Sequence, residues 1–431
     1  MTNPDRAALG GPADRCRQPA RGPGEIPGPR TRKGANGAVE RRSGTAIASI
    51  LRANQEGFER PMKRAVILAA GKGTRMWPYS DTQPKAALPI ANKPLVARTV
   101  EALKELGVDE VHVVVGHLEG DVRSALRDFD GIVFHRQAAP EGTAAALIAA
   151  YSEGFGDCLV LYGDVLVTKD DLGRLMRAHR EGGAPASVLL APIGDEDPRD
   201  WICAGADGDR VTRIVGHPRG TIDYRLAGAF ALSEDAWKWV LSAPHSLTFV
   251  QVGQMPPTER ELAQALQSMV LETGAVRAVK AEGPVVDLDK PWHLLEANYA
   301  YIDLLARSLV EDRIPPSAVI SPDAEIHGRL VLGENVRIGP RVRIAGNAWI
   351  GDNTVVDNGA ILGANCFIGS GCRIEHYCLL SEYSVVGDNC VISHCAELSG
   401  MIMERVYLYH YMEFSGIIGR CTDLGAATVC G

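Results

Sequence analysis

The chain has 431 residues, an apolar content of 46% and a net charge of −8, which predicts two to three domains with a sizeable core. The acidic balance argues against nucleic acid as a partner, so a phosphate substrate must be held by local groups against the overall field. No apolar run reaches the ~18 residues of a membrane span and the first residues hold no apolar signal core, so the expectation is a cytoplasmic protein that engages no membrane.

Residues 1–61 are rich in Gly, Pro and Arg. They are expected to be a disordered extension, with a short helix over Ala46–Gln55. Met62-Lys-Arg-Ala is a natural start for the folded part. From 62 to 305, strand and helix signals alternate. Strands are predicted at Arg64–Ala69, Glu110–Val115, Gly131–Phe134, Cys158–Tyr162 and Ser187–Pro192. Helices are predicted at Pro94–Leu106, Gly120–Arg127, Thr143–Tyr151 and Lys169–Glu181, with Gly107 as a helix C-cap. This order implies an α/β, Rossmann-like domain with a mostly parallel sheet, whose ligand sits beyond the C-terminal strand ends.

The most informative run is Leu68-Ala-Ala-Gly-Lys-Gly-Thr-Arg-Met-Trp-Pro-Tyr-Ser-Asp-Thr-Gln-Pro-Lys85. It follows the first predicted strand. Gly71 and Gly73 permit positive φ and leave no Cβ to block a phosphate. Successive N–H groups of such a turn converge on an anion. Arg75 and Lys85 then supply the charge that a triphosphate needs. The spacing fits neither a Walker loop nor a dinucleotide fingerprint, whose third glycine is replaced by Met76.

The run resembles the signature of sugar-1-phosphate nucleotidyltransferases. The resemblance implies that Leu68, Ala69, Ala70, Gly71, Gly73 and Thr74 contact the nucleotide, and that Arg75 and Lys85 are catalytic. Joining a nucleoside triphosphate to a sugar-1-phosphate calls for Mg²⁺, which favours one or two carboxylates plus phosphate oxygens. Tyr162-Gly163-Asp164 is similar to the metal motif of that family, and Val285-Val-Asp287-Leu-Asp-Lys-Pro-Trp resembles the stretch that carries its second metal ligand. Asp164 and Asp287 are therefore the expected Mg²⁺ ligands. Tyr162, Gly163 and Gly228 are expected at the sugar. Gln137-Ala-Ala-Pro-Glu-Gly142-Thr143 resembles the segment that reads a pyrimidine with a glutamine amide, a group that both donates and accepts. This favours UTP or dTTP, with a hexose- or N-acetylhexosamine-1-phosphate as acceptor.

Three sugar contacts depart from the family pattern. Gly216 stands where a Glu is usual, Ala227 where an Asn is usual, and Trp201 is followed by Ile202 instead of glycine. The departures leave the sugar open and allow a different reading, a non-catalytic subunit that binds a sugar nucleotide. His217 lies in the same region and is expected in an exposed loop.

From residue 306 onward the pattern changes. Ile320, Ile326, Leu332, Ile338, Ile344, Ile350, Val356, Leu362, Ile368, Ile374, Leu380, Val386, Ile392 and Leu398 are spaced by six, and small residues such as Ala348, Thr354, Ala360 and Cys366 precede them by two. Such a hexapeptide repeat predicts a parallel β-helix over 306–431. It resembles the left-handed kind, with three hexads per coil. Cys372, Cys378 and Cys390 share the small-residue phase, so they are expected as buried thiols, with a Cys372–Cys390 disulfide as the alternative. The layout resembles bifunctional uridylyltransferase–acetyltransferases and long archaeal sugar-phosphate nucleotidyltransferases. That implies a homo-oligomer, a trimer by resemblance. In that family a β-helix histidine serves acetyl transfer, but here Tyr409 occupies its place and His410 is one residue off, so acetyl transfer and an assembly module stay open as readings of the β-helix.

Overall fold

Among the described residues, nine strands build one sheet. In chain order they are β1 (Arg64–Ala69), β2 (Glu110–Val115), β3 (Ile132–Arg136), β4 (Cys158–Tyr162), β5 (Ala186–Pro192), β6 (Ile202–Asp207), β7 (Arg210–Gly216), β8 (Tyr224–Leu232) and β9 (Val276–Lys280). The computed structural model describes residues 62–246 and 259–430, so the expected disorder and helix within 1–61 lie outside the described residues. The spatial order is β3-β2-β1-β4-β8-β5-β9-β7-β6. The strands β3, β2, β1 and β4 pair in parallel, as do β5 and β9. The exceptions are β8, antiparallel between β4 and β5, and β7, antiparallel to β9 and β6.

The predicted mostly parallel sheet therefore holds for strand direction, but the second half is joined by antiparallel pairings. One reason lies in the chain itself. Arg210 pairs with Asp207 across the two-residue turn Gly208-Asp209, where Gly208 has φ 60°. So short a connection can join only antiparallel strands.

Helices cover both faces. The relevant ones are α1 (Leu95–Glu105), α2 (Glu119–Ala125), α3 (Thr143–Ala150), α4 (Lys169–Gly182), α5 (Trp237–Leu241), α6 (Leu262–Thr273) and α7 (Pro291–Ser308). The four predicted helices and five predicted strands end within two residues of the observed bounds. Gly107 follows α1 at φ 83°, as a C-capping glycine does. Along β1 the side chains alternate between two cores. Val66 and Leu68 pack with Leu147, Trp237 and Met269, whereas Ile67 packs with Val100, Leu103 and Leu172.

The hexad region is a parallel β-helix. Val319–Ile320 stacks on Arg337–Ile338, then on Val355–Val356, Arg373–Ile374 and Val391–Ile392, a register of eighteen residues or three hexads per coil. The aliphatic residues form one continuous column, and Ala348, Thr354, Ala360, Cys366, Cys372, Cys378 and Cys390 are fully buried beside it. Their polar atoms are paired. Thr354 donates to the Gly369 carbonyl at 2.7 Å, and the Cys372 and Cys390 thiols donate to the carbonyls of Gly387 and Met403, each at 3.0 Å. Both cysteines are free, so the disulfide alternative is not realised.

The six-residue phase ends at Leu398. Beyond it the coil shortens to sixteen residues, since Ile392 pairs with Leu408 and Ile402 with Ile418. Glu397–Ile402 runs as one strand through the position of a former corner. Gly400 (φ 113°) and Gly416 (φ 132°) stack at that point, and a Cβ on Gly400 would lie 2.3 Å from the Gly416 carbonyl oxygen. Backbone contact this close admits only glycine.

One outer face of the β-helix is covered by its own chain. Trp349 and Phe367 stack with ring centroids 5.9 Å apart, and with Val385 and Met401 they meet Leu294, Ala297 and Ile302 of α7. The same cluster contains Met76, Leu88 and Leu288 from the segments that flank the site described next.

Candidate active site

Beyond the C-terminal ends of β1 and β4 lies a cavity of about 200 Å³, lined by Leu68, Ala69, Gly71, Gly73, Thr74, Arg75, Lys85, Ala86, Gly163 and Asp164. Gly73 enters a short 3-10 turn at φ 63°, and a Cβ there would sit 2.7 Å from Lys85 Cγ. Glycine thus lets the lysine stem cross the loop. Gly163 N–H donates to the Leu68 carbonyl at 2.9 Å, which ties the Asp164 strand end to the loop. Ala70 stands behind the lining, where its carbonyl oxygen would be 2.8 Å from a Cβ on Gly116.

Three carboxylates meet the two cations. Val165–Leu166 pairs antiparallel with Val286–Asp287, and Leu288 N–H donates to the Asp164 carbonyl at 2.9 Å. Asp287 and Asp164, far apart in sequence, are thereby held at one strand end. Lys85 Nζ is 3.4 Å from Asp164 Oδ2 and 3.7 Å from Asp289 Oδ1, and Arg75 Nη2 is 2.7 Å from Asp289 Oδ1. Burial, and next the charge of Asp164, push the Asp287 carboxyl up to about 7.

Asp289 was not among the residues expected from sequence. The available signal was its place two residues after Asp287, which puts both on one side of an extended segment. Its backbone N–H donates to His293 Nδ1 at 3.2 Å, which anchors it to the first turn of α7.

The segment expected at the base lies apart from this cavity's lining. Gln137 Nε2 donates to the Gly142 carbonyl at 3.3 Å. Gly142 has φ 92°, and a Cβ there would be 2.5 Å from the Arg260 carbonyl oxygen. The Thr143 hydroxyl donates to Glu261 at 2.5 Å and accepts from Leu262 N–H at 2.8 Å, so it joins the starts of α3 and α6. Burial raises the Glu261 carboxyl pKa.

Tyr162 also turns inward. Its ring packs 5.4 Å from that of Phe230, and burial raises its phenol pKa. Gly228 sits against it at φ 65°, within the register shift of β8, where a Cβ would be 2.9 Å from Val165 Cγ2. Of the three residues expected at the sugar, Gly163 alone lines the cavity, because the other two fill the packing beneath the strand ends.

A second cavity of about 410 Å³ is lined by Asp287 and Asp289 and extends past Glu196, Asp200, Trp201, Arg225, Lys290, Trp292 and His293. Arg225 is buried there. It pairs with Glu196 at 3.0 Å, donates to the Val285 carbonyl at 2.9 Å and lies over the Trp201 ring at 4.6 Å. Ala227 is fully buried, and His217 is exposed at φ 51° with Nδ1 2.8 Å from the Arg199 carbonyl oxygen. At the far end of the β-helix, Tyr409 packs on Tyr407 with centroids 4.5 Å apart, while His410 stacks on His394 at 5.0 Å.

Among the described residues, no group of three or more His, Cys, Asp or Glu is arranged to hold a metal ion by protein ligands alone, and no helix is long and apolar enough to cross a membrane. The MobA-like NTP transferase domain model matches residues 65–312, more than half of the chain, and the GMPPB C-terminal domain model matches 311–408. Three relatives show the breadth of the similarity. A low-salt glycan biosynthesis nucleotidyltransferase, Agl11 of Haloferax volcanii, is 28% identical over 63% of this chain and 73% of its own length. A glucose-1-phosphate thymidylyltransferase of Streptomyces antibioticus is 28% identical over 64% and 74%. A probable mannose-1-phosphate guanylyltransferase of Oryza sativa is 23% identical over 64% and 74%. The chain belongs to the nucleotidyltransferase family that its glycine signature resembles, as a MobA-like NTP transferase domain followed by a GMPPB-type C-terminal domain.

Proposed function

We propose that this chain joins a nucleoside triphosphate to a sugar-1-phosphate with release of pyrophosphate. The observation that carries the reading is the charge cluster at the strand ends, in which Arg75 and Lys85 line the cavity with Asp164 and also meet Asp289, with Asp287 alongside. In the reaction a phosphate oxygen of the sugar-1-phosphate attacks the α-phosphorus. The bond from the α-phosphorus to the bridging oxygen breaks, and pyrophosphate leaves with that electron pair. The attacking oxygen is already anionic, so no general base is required. The glycine loop positions the triphosphate, and Arg75 and Lys85 stabilise the charge that develops on it.

Asp164 and Asp287 fit Mg²⁺. Two carboxylates are held together by the Val165–Asp287 ladder, a donor number that leaves the remaining positions to phosphate oxygens and water. The ion, when bound, would screen the two polyanions from each other.

The nucleotide we propose is UTP or dTTP, read through the Gln137–Thr143 segment, and the acceptor is a hexose- or N-acetylhexosamine-1-phosphate. Trp292, about half exposed, offers a flat apolar wall beside Asp287 for a sugar ring. The β-helix is proposed to be left-handed and to support a trimer, in keeping with the resemblance. For the second reading, a non-catalytic subunit, the supporting observation is that Ala227 and Gly216 bring no polar side chain to the sugar.

Pyrophosphate release distinguishes the two. With Mg²⁺, UTP, dTTP, GTP and ATP are tested against glucose-, N-acetylglucosamine-, galactose- and mannose-1-phosphates, with Asp164→Asn as control. Release for one pyrimidine pair, lost in the control, is expected. Release with a purine pair alone would overturn the base assignment, and silence from folded protein across the panel would favour the non-catalytic subunit.

A further inference from the structure

We infer that the shortened last coils of the β-helix are a working part of the nucleotide site, with Arg420 and Tyr79 as positioning residues for the glycine loop. The inference rests on the reading of that loop as the triphosphate holder and adds a role for the β-helix within it.

The loop from Gly71 to Lys85 has two sides. One side presents Arg75 and Lys85 to the cavity. The other side is seated on the β-helix. Met76, adjacent to Arg75, is fully buried in one cluster with Leu288, Met401 and Met403. The Tyr79 hydroxyl donates to the Ile417 carbonyl at 2.8 Å. The Arg420 guanidinium donates to the Thr82 carbonyl and pairs with Asp121 of α2 at 3.1 Å. A third tie comes from the sheet, where His117 Nε2 lies 3.1 Å from the Ser80 carbonyl oxygen.

Leu288 matters here because it lies between Asp287 and Asp289. One apolar cluster therefore backs both the cation-bearing loop and the carboxylate-bearing segment, and its floor is the β-helix face of Val385 and Met401. Glycine-rich backbone is costly to hold in one conformation. Contacts from outside the loop reduce the ordering that a bound triphosphate would otherwise have to supply. Two of these contacts come from Ile417 and Arg420, in and just after the strand Glu413–Ile418 of the sixteen-residue coils.

The test uses the full chain with Arg420→Ala, Arg420→Lys and Tyr79→Phe. Arg373→Ala, an outward residue on another coil face, is the control. Amide exchange over residues 71–85 should accelerate by about fivefold or more in Arg420→Ala, and remain unchanged in the coils from Val319 to Leu380. The KM for the nucleotide should rise by roughly 5–20-fold with the sugar-phosphate KM within about twofold, Arg420→Lys should recover part of the loss, and Tyr79→Phe should give a smaller change in the same direction. Unchanged exchange at 71–85 would overturn the inference. So would equal rises in both KM values that track a drop in thermal midpoint, since those mark general destabilisation. Exchange is read without turnover, so it judges this inference even if the panel of substrates shows no transferase activity.

Discussion

Around the cavity the sheet tolerates irregularity. Gly73 sits at φ 63°, Gly228 breaks the register of β8, and three carboxylates crowd two cations. Along the β-helix, from Val319 to Leu398, the same register repeats and the buried small polar residues find partners. The contrast separates two kinds of contribution. The sheet gathers charge where a charged substrate must be handled. The β-helix supplies a rigid face by repetition, and its one departure, the sixteen-residue coil, falls where it meets the glycine loop.

The largest effect should come from removing charge from the cavity. Asp164→Asn should lower kcat by about 10³-fold or more, with the fold intact by circular dichroism, since it removes a carboxylate assigned to Mg²⁺. Retained turnover would place the chemistry elsewhere. Gly73→Val adds a Cβ at positive φ against Lys85, so kcat/KM should fall by roughly 10²-fold and stability by about 1–2 kcal/mol. A normal kcat/KM in that variant would show that the loop geometry is dispensable.

The β-helix should respond in the opposite sense. Leu362→Ala empties a fully buried place in the column and should cost about 2–5 kcal/mol in chemical denaturation, while the folded fraction keeps its KM values.

Asp287 gives the site a pH dependence. Its carboxyl pKa is raised from 3.8 to about 7 in the folded chain. A raised pKa means that the protonated form is favoured on folding. Its contribution to stability is therefore full below pH 4 and lost as the pH rises through 7. In the absence of metal, Asp287→Asn should then stabilise the chain at neutral pH, on the order of 1–3 kcal/mol, while abolishing turnover. A thermal midpoint series from pH 4 to pH 8 checks the sign, because wild type should decline over the range where the variant stays flat. The smallest effect belongs to exposed coil positions. Arg343→Ala should change stability by less than about 0.5 kcal/mol and leave both KM values unaltered.

Much of this division is legible in the sequence. The six-residue phase of aliphatic residues marks the coils, and short apolar runs and helical patterns mark β1 to β5 and α1 to α4 within two residues. The remaining strands were harder to see for physical reasons. In strand β8, Gly228 at φ 65° interrupts the apolar run within a register shift. Asp207-Gly208 carried a turn signal that fixes the antiparallel hairpin of β6 and β7.

The site divides in the same way. Arg75, Lys85 and Asp164 converge because their motif is contiguous with strand ends. The place of Asp289 depends on a ladder between residues far apart in the chain, which no local pattern reveals. Thr143 and Tyr162 matched a familiar motif, yet their side chains are used in packing and helix tethering.

In the proposed reaction the α-phosphate of a nucleotide passes to a sugar-1-phosphate in the cavity of Arg75, Lys85 and Asp164. Incubation of the full chain with Mg²⁺, a sugar-1-phosphate and a pyrimidine nucleoside triphosphate labelled at the α-phosphorus tests it most directly. The label should appear in a nucleoside diphosphate sugar, unlabelled pyrophosphate should form in equal amount, and both should vanish in Asp164→Asn. Label recovered as free nucleoside mono- or diphosphate, or label transfer that persists in Asp164→Asn, would contradict it.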